Sequence, residues 1–154
     1  MYDVFDLHCD TADRLAWQSL SPALKTATGL RFYGPGDEQS PASYRDLARN
    51  GCHISLDGIG AAPWAQCFAC FIPDELSCDE SLSFFEHVES YLERQVEANA
   101  GRIAFARSGG EARELLSRGR IAAVRTIENA RFFALDPAYV ERAAERGVPA
   151  ERRH

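Results

Sequence analysis

A chain of 154 residues with 45% hydrophobic and 26% charged residues has the length and composition of one globular domain with a core of its own. Its net charge of −6 and the lack of a basic stripe argue against a nucleic-acid-binding protein. No run approaches the roughly 18 apolar residues of a spanning helix, and two Asp within the first six residues do not make a signal peptide, so a cytoplasmic location is the expectation.

The chain opens on Val4-Phe5-Asp6-Leu7-His8-Cys9-Asp10, an apolar run that reads as a strand finishing in His-x-Asp. Residues two apart on a strand point the same way, so His8 and Asp10 are expected on one face. An imidazole beside a carboxylate forms much of a site for a hard-to-borderline cation. The same pair also suits a strand that merely ends in polar residues. A short helix is expected over 11–20, with Leu15 and Trp17 among its apolar residues. Residues 21–52 then lose periodicity and collect Pro22, Gly29, Gly34, Pro35, Gly36 and Pro41. That predicts a long loop with a helical turn around 44–48; such loops often lie over functional sites, and a disordered segment fits the same pattern equally.

His53-Ile54-Ser55-Leu56 is too short to assign, and a turn-rich passage follows. A second strong strand is expected over 65–72, closed by Pro73. It contains Cys67-x-x-Cys70, but positions three apart on a strand face opposite sides, and the second pair of a zinc ribbon is missing. The two cysteines therefore read as small buried hydrophobes. With five cysteines and no framework spacing, free thiols are expected throughout.

Ser77 and Glu80 form a capping box that opens a long amphipathic helix, with Leu82, Phe85, Val88, Leu92 and Val96 on one face and Gly101 as its stop. A short extended piece over 103–106 leads to a second box, Ser108 with Glu111, and a helix reaching Gly119. Ile121-Ala122-Ala123-Val124-Arg125-Thr126-Ile127-Glu128 is the third strong strand. Asp136-Pro137 opens a last helix whose apolar face is Val140, Ala143 and Ala144, with Gly147 as its stop. Strands alternating with helices predict an α/β fold of parallel βαβ units.

Glu128 stands at the carboxyl end of its strand, as His8 and Asp10 do at theirs, and chemistry collects at that edge in parallel α/β folds. The three make an N,O-ligand set for Zn²⁺ or Mn²⁺, and a carboxylate from a separate strand can bridge two cations. The alternative for Glu128 is a carboxylate paired with Arg125 or Arg131.

His8-x-Asp10 after an apolar strand, Ala65-Gln66-Cys67-Phe68-Ala69-Cys70-Phe71-Ile72-Pro73, and Thr126-Ile127-Glu128-Asn129-Ala130 occur in this order. Together they resemble the membrane dipeptidase (renal dipeptidase) family of zinc peptidases, family M19. His53-Ile54-Ser55-Leu56 is also similar to a segment of its bacterial members. The resemblance covers residues 1–148 and implies a (β/α)₈ TIM-barrel fold, of which this chain supplies about the first three βα units. It implies His8, Asp10 and Glu128 as metal ligands, with Glu128 the bridging and catalytic-site carboxylate. It further implies two Zn²⁺ in the full-length family and at most one half-site here, a dipeptide substrate cleaved by a metal-activated hydroxide, and a homodimer for the complete enzyme. The family's usual Glu-Gly is Glu128-Asn129 in this chain, which touches loop shape and not the ligand.

Family members are roughly twice as long, and the histidines of their second zinc have no counterpart among His53, His87 and His154. Residues 149–154 do not resemble the fourth barrel strand, so a frameshift or truncation is the expectation, with a fragment inactive by itself. Two rivals remain: another barrel metallohydrolase of the amidohydrolase kind, disfavoured by Asp10 where His-x-His is usual, and a non-catalytic remnant whose His8, Asp10 and Glu128 are polar strand ends. His53 reads as a structural histidine more readily than a ligand, and His87 as a border residue of the long helix.

Overall fold

The run Trp64–Phe71 has small or apolar side chains at nearly every position and forms β2, buried along its length as an inner parallel strand must be. The computed structural model describes residues 3–30 and 46–148. β1 (Val4–Cys9), β3 (Ile103–Phe105) and β4 (Ile121–Glu128) join β2 in one parallel sheet of spatial order β1-β2-β4-β3. The parallel α/β fold expected from the alternation of strands and helices is the fold observed. One strand more than the three strong ones takes part, because three residues at 103–105 pair with the start of β4, Ile103 opposite Ile121. The short extended piece expected over 103–106 is therefore a strand, though too short to show a period of its own.

The helices are α1 (Thr11–Ala16, continued by a 3-10 turn at Trp17–Ser19), α2 (Pro22–Ala27), α3 (Leu56–Ile59), α4 (Cys78–Ala98), α5 (Gly109–Ser117) and α6 (Ala138–Glu145). The stretch expected as loop after residue 20 therefore contains α2, where Ser21 Oγ accepts from Leu24 N at 3.2 Å and Pro22 takes the first helical position. Much of the expected loop, including part of the turn near Tyr44, and the tail 149–154 with His154 lie outside the described residues. The Ser77–Glu80 capping box forms as expected. At α5 the cap is shifted: Ser108 Oγ accepts from Glu111 N, but the Glu111 carboxylate takes Arg107 N at 2.8 Å.

Strand order explains where the helices lie. The connections β1→β2 and β2→β3 run one way across the sheet, and β3→β4 runs back. Right-handed crossovers then put α5 on the face opposite α1 and α4. The core follows this division. Leu15 and Ala16 of α1 and Phe84, Phe85, Val88, Leu92 and Val96 of α4 cover Phe68, Cys70, Ile121 and Ala123. On the other face Ala112 and Leu115 of α5 meet Ala65 and Ala122. α6 ends in a Schellman turn at Gly147, with φ +77°, where Val148 N donates to Ala143 O at 2.9 Å. A Cβ there would lie 2.5 Å from Arg107 Cα, so only glycine admits this approach.

Candidate metal centre

β1 does not run to Asp10 as a regular strand. Asp6 pairs with Gln66 and Cys9 with Phe68, so Leu7 and His8 together stand opposite Cys67 in a bulge-like irregularity. Asp10 lies beyond the strand, as the residue that caps α1. His8 and Asp10 do meet, with His8 Nε2 3.0 Å from Asp10 Oδ1, but through this irregularity and the turn into α1 and not by strand alternation.

Glu128 is the last residue of β4, opposite Phe71 at the end of β2. Although β2 separates β1 from β4, Glu128 Oε2 lies 3.9 Å from His8 Nε2. Neither arginine expected as an alternative partner takes it. Arg125, three residues earlier and so on the opposite face, holds Glu89 at 2.9 Å and Glu93 at 3.0 Å. Arg131 holds Asp74 and the carbonyls of Asp74 and Leu76. Asn129 adopts φ +67°, the left-handed conformation that a glycine takes freely and that Asn tolerates best among other residues. Its Nδ2 donates to Ile72 O at 2.9 Å and Asp74 Oδ1 at 2.8 Å, so the turn after Glu128 is tied to the end of β2.

Two further residues reach this edge. Asp10 N donates to His53 Nδ1 at 3.3 Å, and the same nitrogen stands 3.7 Å from Asp10 Oδ2. Asp13 of α1 is 4% exposed; its Oδ2 accepts from Phe71 N at 2.8 Å, and its Oδ1 has no hydrogen-bond partner among the described residues. Burial holds the Asp13 carboxyl well above the usual carboxylate range; the Phe71 amide opposes this, and the Asp10 charge adds to it.

The donor set, one imidazole and two carboxylates, has the chemistry of a zinc or manganese site. Ligand bonds of about 2.0–2.2 Å in a tetrahedral site separate the ligand atoms by roughly 3.3 Å. The separations of 3.0 and 3.9 Å bracket that spacing. The side chains nevertheless close on one another. Among the described residues no three His, Cys, Asp or Glu side chains surround a common point as a ready-made cage. As placed, the described side chains form no group able to hold a cation, so it is the donor chemistry and not the geometry that suits one.

All five cysteines are free, and burial pushes Cys9 up to about 12 and Cys52 up to about 11, which keeps both protonated near neutrality. Cys67 and Cys70 are buried, as expected of small hydrophobes in β2. His87 has a structural place: its Nε2 lies 3.0 Å from Ala16 O and 3.1 Å from Ser19 Oγ, tying α4 to α1. No helix among the described residues is long and apolar enough to cross a membrane.

No protein-family model matches the sequence, and no curated protein does. Among solved structures the chain is similar to dipeptidase AC, described as a metallopeptidase of family M19, with a TM-score of 0.61 and 19% identity over 92% of this chain. The fold is that of part of a barrel. The chain spans 40% of that neighbour's length, and at this identity the likeness speaks for the fold alone.

Proposed function

We propose that the chain is part of a metal-dependent dipeptidase, in which His8, Asp10 and Glu128 hold one divalent cation, zinc being the resident metal of the resembling family. The observation that carries this reading is the approach of one imidazole and two carboxylates, from the ends of two non-adjacent strands, across the end of β2. A fold shared with part of a metallopeptidase supports it. A cation bound there would supply Lewis acidity toward a peptide carbonyl. The chain's own residues set the stage for it. Glu128 is half exposed and, among the described residues, has no arginine partner, so its carboxylate remains available. Asn129 anchors the turn that carries it, and Asp10 is held at the mouth of α1. The dipeptide substrate rests on the family resemblance.

A second reading is a polar cluster at the strand ends that binds no metal, favoured by the direct His8–Asp10 contact. Equilibrium dialysis against zinc separates the two. The parent is expected to take up one equivalent, and Glu128→Ala to bind at least about tenfold more weakly. Equal metal content in the two proteins defeats the peptidase reading.

A further inference from the structure

Asp10 is held by more than the helix it opens. Its carbonyl accepts Arg14 N at 3.1 Å in the first turn of α1, and its amide donates to His53 Nδ1 at 3.3 Å. His53 is 43 residues away in sequence and is brought in by its neighbour. The fully buried Thr11 accepts Ile54 N at Oγ1, 3.1 Å, and its hydroxyl faces Ile54 O at 3.5 Å. This clamp locks residues 53–54 against 10–11. With both its main-chain groups engaged, Asp10 keeps only its side-chain torsions free, and Oδ1 and Oδ2 are already turned toward His8 and His53.

We infer that His53 is a positioning residue for Asp10: its Nδ1 fixes the Asp10 amide, so that the carboxylate presents Oδ1 on the His8 side. An acceptor at Nδ1 places the ring proton on Nε2. The effect on metal affinity rests on the proposed function; the hold on Asp10 does not. Groups that orient a ligand without touching the metal typically change affinity about 10–100-fold.

The test uses the full 154-residue chain as parent, His53→Ala and His53→Gln, the last keeping a side-chain oxygen as acceptor. In metal-free protein, nitrogen NMR is expected to show the Nε2–H tautomer of His53. Asp10 amide exchange is expected to accelerate at least about tenfold in the Ala variant and to stay near the parent rate in the Gln variant. Zinc titration should then show binding about 10–100-fold weaker for Ala and within a few-fold of parent for Gln. The visible bands of the cobalt-loaded proteins should be unchanged. Equal Asp10 exchange in parent and Ala variant overturns the inference, as does a cobalt spectrum that loses a nitrogen ligand. If the parent binds no zinc, the metal reading fails by itself, and the exchange comparison still decides the role of His53.

Discussion

Asp13 shows how one side chain ties the edge of the sheet to pH. Burial favours its protonated form in the folded chain, and the Asp10 charge pushes the same way. The folded state therefore binds this proton more tightly than the unfolded one. The contribution of Asp13 to stability is fully present below the ordinary carboxyl value of about 3.9 and is lost as pH rises from there toward the raised value. Asp13→Asn keeps an oxygen for Phe71 N and removes the ionisation. Urea denaturation between pH 4 and 8 is expected to show a shallower decline for Asn than for parent, with the variant at least as stable at pH 8. Parallel pH profiles would remove burial of this carboxyl as the cause. His8, Asp10 and Glu128 were legible as candidates because strand ends and residue type mark them. His53 was not, since nothing local links it to Asp10 across 43 residues. Asp13 carried a signal in its place one helical turn after Asp10, where it shares that residue's side of α1.

At the scale of elements, the buried arginine of β4 links three of them. Arg125 reaches Glu89 and Glu93 of α4, and its guanidinium lies 3.3 Å from the centre of the Phe105 ring on β3. Glu89 is held above its usual range by burial, with the arginine opposing that shift. Replacing the arginine leaves a buried carboxylate without its partner. Arg125→Met is expected to cost about 3–5 kcal/mol at pH 7, and a double variant with Glu89→Gln to recover most of it, measured by chemical denaturation. A loss confined to a few tenths of a kcal/mol, or no recovery in the double variant, would show that the pair is not the joint described. Elements with strong period and caps, β4 and α4, lie where their patterns put them. β3 falls within the short extended piece expected over 103–106, whereas α2, six residues long, does not announce itself.

For the molecule as a whole, the sheet is the feature that decides behaviour in solution. β1 is an outer strand of the described sheet and exposes Phe5 at 57% and Leu7 at 70%. An apolar outer strand is a template for association. Sedimentation velocity is expected to show concentration-dependent self-association of the purified chain, and a Phe5→Lys, Leu7→Lys variant to shift it toward monomer. A parent that stays monomeric at high concentration would count against this surface. With three candidate ligands and 40% of the neighbour's length, the chain alone is expected to show no zinc-dependent hydrolysis of dipeptides. Steady turnover by the purified protein would reverse that expectation.

Residue order by itself determined the fold class, the long helix and its cap, the final strand and the three candidate donors. Periodicity, capping and strand ends are local properties, readable within a turn or a strand. Only the tertiary structure decided that β3 lies outside β4, that α5 takes the opposite face from α4, and that β1 and β4 bring their ends together across β2. It also decided that Arg125 belongs to α4 and that His53 belongs to Asp10. These depend on which surfaces bury one another and on clamps between residues far apart in sequence, such as Thr11 with Ile54, and a sequence pattern of single elements carries no record of such pairings.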